Sequence, residues 1–246
     1  MLIIVVLACF AKASAQKSIK DSLITFPLIH AGLSLHQPNG DLQERFGTSS
    51  AINLGFHYKM KSNISYGLNV QFLTGDNVKN TNQILGDVTT DLGPITNDGM
   101  LAVMSFEQRG MNINLSVGKV FSIGVPNKNS GIWLQAGAGY YWNKIKISTN
   151  NFELQVLSKD FLKGYDELRA GFSTNQSLGY LYLSNKRLLN FSIAIEAIQA
   201  FATDQRGYNY RTRSSKKERY VDHLVGLRAT WYFPLYKRSV EVYQYY

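Results

Sequence analysis

From Val221 to Phe233 the chain alternates residue by residue, and no other feature restricts its fold so tightly. His223, Val225, Leu227, Ala229, Trp231 and Phe233 share one parity, whereas Asp222, Gly226, Arg228 and Thr230 share the other with Leu224 and Tyr232. Successive side chains of a strand point to opposite faces, so this stretch has one apolar face and one small or polar face. It is longer than the usual globular strand, but a strand crossing a bilayer at a tilt needs about 9 to 11 residues for the hydrocarbon alone.

The same pattern recurs upstream. Ile29, Ala31, Leu33 and Leu35 oppose His30, Gly32, Ser34 and His36; Ile52, Leu54, Phe56 and Tyr58 oppose Asn53, Gly55, His57 and Lys59. Ile64, Tyr66, Leu68, Val70 and Phe72 oppose Ser65, Gly67, Asn69 and Gln71, and Met111, Ile113, Leu115 and Val117 oppose Asn112, Asn114, Ser116 and Gly118. A fifth strand starts at Ile132 and shows an apparent phase slip near Lys144, because Ile145 and Ile147 fall on the wrong parity; a bulge or the membrane boundary is expected there. In the sixth, Asn175 to Leu183, Leu178, Tyr180 and Tyr182 compete with Leu181 and Leu183 for the apolar face. The seventh sets Phe191, Ile193, Ile195 and Phe201 against Asn190, Ser192 and Glu196. Eight strands result, with short connections near 60–63, 122–131 and 184–187 and long ones at 37–49, 75–108, 148–173 and 203–220. That alternation, with an even strand number, is the plan of bacterial outer-membrane barrels, whose short turns and both termini face the periplasm.

Composition closes off the helical alternative. Of the 246 residues 45 % are hydrophobic, yet after residue 10 no apolar run approaches the 18 or so that a membrane helix requires. Lipid-embedded backbone must satisfy its own hydrogen bonds, so the crossing elements are strands. A soluble barrel would also alternate, but its water-exposed face would carry many Lys, Glu and Thr. Here the polar face is mostly Asn, Ser, Gly and Gln, which suits the crowded lumen of an eight-stranded barrel. Tyr58, Tyr66, Tyr140, Trp142, Phe191, Trp231 and Phe233 lie near strand ends, where interfacial aromatic girdles are expected.

The expected division is a signal peptide over 1–15, a lead over 16–26, the barrel over 27–233 and a periplasmic tail over 234–246. Leu2 to Phe10 is an apolar core followed by Ala13-Ser14-Ala15, the small-x-small form of a signal peptidase site, although no Lys or Arg precedes the core. Cys9 after Leu7-Ala8 offers a lipid-anchored cysteine as the rival reading. Cleavage after Ala15 removes Cys9, the only cysteine, and with it any disulfide chemistry. Pro234 is expected to end strand pairing.

Gly40-Asp41-Leu42 with Arg45-Phe46-Gly47, Val125-Pro126-Asn127 with Asn129-Ser130-Gly131, Lys163-Gly164-Tyr165-Asp166, Leu183-Ser184-Asn185-Lys186-Arg187 and Phe233-Pro234-Leu235-Tyr236-Lys237-Arg238 together resemble a group of Bacteroidota outer-membrane β-barrel proteins. The resemblance spans nearly the whole mature chain and implies the fold and the compartment, with both termini periplasmic. The group carries no settled activity, and several barrels of that phylum are accessory subunits of secretion, insertion or uptake machines.

Chemistry-bearing residues are few. Asp222 and His223 are adjacent and point to opposite faces, and no Ser is placed beside His223, so a protease or lipid-modifying centre has little support. His30, His36 and His57 share the inward face without a further metal ligand, which favours luminal hydrogen bonding over a metal site. Glu196 and Arg228, inward on neighbouring strands, form a candidate luminal pair. Loop charge is the more suggestive feature. Residues 203–220 carry Arg206, Arg211, Arg213, Lys216, Lys217 and Arg219 against Asp204 and Glu218, whereas residues 75–108 carry five carboxylates against Lys79. The basic loop, with a tail containing Tyr236, Lys237, Arg238 and Tyr243, is the candidate contact for anionic lipid or for a protein partner; mutual attraction of the two loops is the plainer alternative.

The expectation is therefore an all-β, eight-stranded, antiparallel, up-and-down transmembrane barrel of the outer membrane, without enzymatic activity, cofactor or metal. Its expected role is that of a structural or accessory subunit of an outer-membrane complex. Its expected partners are outer-membrane lipid, including lipopolysaccharide, and other outer-membrane or periplasmic subunits, with no nucleic acid. A narrow pore or small-ligand carrier, and a lipid-modifying enzyme, are the alternatives.

Overall fold

Alternation requires strands that pair along their full length, and eight of them close on themselves in a computed structural model that describes residues 22–84, 104–123, 126–149, 163–186, 189–208, 214–215 and 218–236. In chain order they are β1 (Phe26–Gly40), β2 (Ser49–Lys59), β3 (Ile64–Gly75), β4 (Met104–Ser122), β5 (Gly131–Thr149), β6 (Arg169–Leu183), β7 (Asn190–Asp204) and β8 (Arg219–Pro234). Each pairs antiparallel with the next, and β8 closes the ring on β1, from Leu28 opposite Pro234 to Gly40 opposite Asp222. A 3-10 turn (Asp41–Glu44) and one helical turn, α1 (Thr81–Ile84), lie at the end where β1 leaves the barrel.

The barrel is inverted relative to a soluble protein. Leu33, Leu115, Val117, Ile193, Ile195 and Leu227 are among its most exposed side chains, while Asn112, Ser65, Ser173 and Gln71 on the opposite parity are buried. A broad apolar exterior of this kind is stable only against hydrocarbon. From Arg109 to Lys119 the outward face of β4 holds only Met111, Ile113, Leu115 and Val117, about the depth that a tilted strand spends in the bilayer core. Above it, Arg109 and Glu107 meet Lys144 and Lys146 of β5 on the same face, so the hairpin leaves the lipid there.

Close packing of a narrow lumen needs small residues opposite large ones. A side-chain carbon at Gly55 would stand 2.6 Å from Cε1 of His30, and one at Gly67 would stand 2.7 Å from Cγ of His57. Both imidazoles occupy the space those glycines leave. The tight turn between β2 and β3 depends on Asn63 at φ 60°, a left-handed conformation that asparagine tolerates.

Several sequence expectations change. Of the two readings of the slip near Lys144, the bulge is absent, since the register of β5 with β4 is continuous from Ser122 opposite Gly131 to Met104 opposite Thr149, and the charged residues paired there, Arg109 with Lys144 and Glu107 with Lys146, mark the membrane boundary. Ile145 and Ile147 keep the inward parity and pack in an apolar plug at that end of the lumen. The same cause settles β6, where Leu178 points out and Leu181 and Leu183 point in, to a second plug at the opposite end. Pairing does not stop at Pro234: proline gives no N–H, but the next residue, Leu235, donates its N–H to the Pro27 carbonyl at 2.9 Å. The connections also alternate less cleanly than expected, since residues 41–48 at one end match residues 123–130 at the other in length. The signal segment and the tail beyond Tyr236 lie outside the described residues.

Candidate functional site at the long-loop mouth

The lumen has three layers. At its middle, the Glu196 carboxylate accepts from three side chains: His36 Nε2 at 2.8 Å, Arg228 Nη1 at 3.0 Å and Gln71 Nε2 at 3.1 Å. Gln71 in turn accepts from Asn112, whose amide also donates to Asn175 at 2.6 Å and whose oxygen accepts from Ser173. Arg228 donates onward to Gln135. The pair foreseen between Glu196 and Arg228 is thus one edge of a wider network. A cavity of ≈ 20 Å³ lies beside it, room for about one water. His57 pairs with Asn69 at 2.9 Å, and His30 packs against the rings of His57 and Tyr232.

The short-turn end is closed by Phe26, Leu28, Val120, Trp133, Leu181, Leu183 and Tyr232. Two asparagines of the 123–130 turn fasten it. Asn127 donates to the Leu183 carbonyl at 2.6 Å. The Asn129 side-chain oxygen accepts from Lys59 Nζ at 3.0 Å and from the Ile24 N–H at 3.2 Å, and its amide donates to the Ser22 carbonyl. These bonds give backbone groups at this end polar partners, the Leu183 carbonyl accepting also from Ser130 Oγ.

The long-loop end is built differently. Leu42, Phe46, Tyr141, Ile145, Tyr165, Ile198 and Leu224 form its plug, and charges are buried among them. Arg45 donates through Nη1 to the Asn143 oxygen at 2.7 Å and through Nη2 to the Glu167 carbonyl at 2.8 Å, while its Nε lies 2.9 Å from the Glu167 carboxylate. Glu167 holds φ at 44°, a conformation that glycine would adopt at less cost; a glycine there would leave Arg45 without its carboxylate. Burial first, and the nearby charge of Arg169 second, hold the Arg45 guanidinium down at about 10, still cationic at neutral pH. Asn143 also donates to Asp222 at 3.0 Å. The Arg169 guanidinium carbon lies over the Tyr220 ring, 3.3 Å from its centre. A cavity of ≈ 70 Å³ opens here, lined by Glu44, Arg45, Lys79, Asn80, Ile84, Ile145, Glu167 and Arg169.

Of the residues singled out from sequence as partner or lipid contacts, the described ones, Arg206, Arg219 and Tyr236, do not line this cavity. Arg206 forms a forked pair with Asp166, through Nε at 2.9 Å and Nη2 at 2.5 Å, and that hydrogen bonding raises its pKa. The partner belongs to the 150–168 connection and not to the acidic 76–103 segment. Arg219 is exposed at the start of β8. Tyr236 packs on Phe26 at the short-turn end, ring centres 4.9 Å apart. Arg211, Arg213, Lys216, Lys217, Lys237, Arg238 and Tyr243 lie outside the described residues, as do most carboxylates of the acidic loop. Sequence reasoning missed Arg45, Glu167, Arg169 and Asp222 as a group. Part of their signal was present, since Arg45-Phe46-Gly47 and Tyr165-Asp166 stand among the segments that carry the family resemblance.

A closed eight-stranded barrel with an apolar exterior and a hydrogen-bonded interior is a transmembrane β-barrel of the outer-membrane type. No protein-family model and no curated protein matches the chain. Among solved structures it is similar to the attachment invasion locus protein Ail of Yersinia pestis, solved with the heparin analogue sucrose octasulfate, at 11 % identity and TM-score 0.44 over 85 % of this chain and 99 % of that one. It is similar also to Neisserial surface protein A, at 8 % identity and TM-score 0.44 over 84 % and 97 %. The outer-membrane protein OprG of Pseudomonas aeruginosa aligns at 12 % identity and TM-score 0.38 over 88 % and 99 %.

Proposed function

We propose that this barrel is a non-conducting, non-enzymatic structural or accessory subunit of an outer-membrane assembly, oriented with its short turns in the periplasm and its long loops outside. The observation that carries this reading is the sealed lumen: apolar plugs at both ends and a continuous side-chain network between them. An ion or solute crossing it would have to break buried charge-assisted bonds, each costing about 1.5–3 kcal/mol. The surfaces left for function are the lipid face, the long loops and the tail. Outer-membrane lipid, including lipopolysaccharide, and other envelope subunits are the corresponding partners.

The luminal histidines His36 and His57, among the described residues, give the enzyme alternative no base in contact with a hydroxyl nucleophile. His36 and His57 use Nε2 on a carboxylate and an amide, and their Nδ1 atoms have no hydrogen-bond partner, so neither imidazole activates a hydroxyl. Mild detergent extraction from native membranes followed by mass spectrometry is expected to recover the barrel with stoichiometric envelope proteins; migration as a lone barrel would remove the subunit reading. Planar bilayers are expected to show no unit conductance, and discrete channel openings would replace it with the pore.

A further inference from the structure

Arg169 is the most weakly satisfied buried charge among the described residues. It is 4 % exposed, and its Nε and Nη1 have no hydrogen-bond partner. The nearest ion-pair contact, Nη1 to Asp222 Oδ1, is long at 3.9 Å. The Tyr220 ring lies against the guanidinium carbon, and Nε and Nη1 are the donors that need a partner. Buried charged donors left unmade are costly and rare, so such groups mark a place where something else binds. Arg169 lines the ≈ 70 Å³ cavity at the long-loop mouth, with Lys79 at its exposed rim. Arg45 supplies a second cation to the wall, while Glu167 is engaged by Arg45 and Glu44 is the other acid. Three cations and two carboxylates line the cavity, and the carboxylate of Asp222 stands outside the lining, 3.9 Å from Arg169.

From this geometry we infer that the mouth is a receptor site for a single oxyanion, a phosphate or carboxylate group, held in plane by Arg169 and steered by Lys79. A guanidinium presents two parallel N–H donors matched to the oxygens of such a group, which an ammonium does not. The cavity admits one anionic group and excludes a bulky ligand as a whole, so the anion arrives either free or as the exposed end of a larger molecule such as a lipid headgroup. The inference is independent of whether the barrel has protein partners.

The test uses the full chain folded in zwitterionic detergent micelles and titrated with inorganic phosphate by calorimetry. Saturable binding at about 1 mM or tighter is expected. Arg169→Gln is expected to weaken it about tenfold to a hundredfold, Arg169→Lys by an intermediate factor, and Arg206→Gln not at all, because Arg206 is committed to Asp166. Lys79→Gln, at an exposed position outside the strands whose ammonium donates to the Gln43 carbonyl, is expected to weaken binding by about twofold to threefold; it keeps the test open if Arg169→Gln does not fold. In a second arm, nanodiscs containing an anionic phospholipid replace the micelles. Loss of free phosphate binding there identifies the headgroup as the source, and its persistence identifies a soluble anion. No saturable binding in micelles, equal losses in Arg169→Gln and Arg206→Gln, or an unchanged constant in Lys79→Gln would each overturn the inference.

Discussion

The two ends of the lumen are closed by similar apolar clusters but by opposite polar chemistry. At the short-turn end, neutral amides of Asn127 and Asn129 bind main-chain carbonyls and N–H groups, and the buried cation Lys59 donates to Asn129. At the long-loop end, Arg45, Arg169, Glu167 and Asp222 are buried together, with a left-handed glutamate and unpartnered guanidinium nitrogens. A seal has no reason to bury charge, since desolvation offsets much of what the ion pairs return. The amide end is built to stay shut, and the charged end is built to hold something or to be held by something.

Substitutions can break this contrast, and the largest effect is expected at Arg45. Arg45→Met strands the Glu167 carboxylate inside the plug, and loss of one partner of a buried pair costs about 3–5 kcal/mol. Urea unfolding followed by the gel shift between folded and unfolded barrel would measure it; a loss under about 1 kcal/mol would mean that the mouth is wetter than its burial indicates. Next comes Asn129→Ala at the opposite end, which leaves Lys59 and the Ile24 N–H without an acceptor. About 1–3 kcal/mol is expected, and pairing it with Lys59→Met should recover part of the loss in a double-mutant cycle. A cycle with no coupling would show that Lys59 finds water and that the amide clamp is not what fastens this end. The smallest effect belongs to Arg206→Ala. Its fork to Asp166 is part-exposed, so screening holds the cost to about 0–1 kcal/mol, and a drop comparable to that of Arg45→Met would extend the charged end out to the rim.

Legibility in the sequence followed the same division. The outward faces were plain because a bilayer demands an uninterrupted apolar set: Ile113, Leu115 and Val117 of β4, or Val225, Leu227 and Trp231 of β8, admit one parity only. The inward faces were plain only at mid-lumen, where Asn, Ser, Gly and His alternate with that set. Towards each end the inward residues become apolar too, and Ile145, Ile147, Leu181 and Leu183 looked like errors of phase. Period-2 reasoning assigns one face as greasy and cannot say that a lumen has greasy ends. The mouth was less visible still. Arg45, Asp222 and Glu167 come from three separate parts of the chain, and the segments that contain Arg45 and Glu167 present the turn signals of ordinary loops.

What the sequence determined alone was therefore the strand count, the outward parity of every strand but β6 and the membrane-facing exterior, because each depends on residues two apart and on a solvent that tolerates no polar side chain. Tertiary structure decided the rest. Barrel closure through β1 and β8 set which residues share a height in the lumen, and only that register could bring the buried charges to one mouth and the amides to the other. Their chemistry is long-range, between groups more than a hundred residues apart, as in Arg45 with Glu167 or Asn129 with Ile24, and no local pattern of a chain records which distant partner will satisfy a buried polar group.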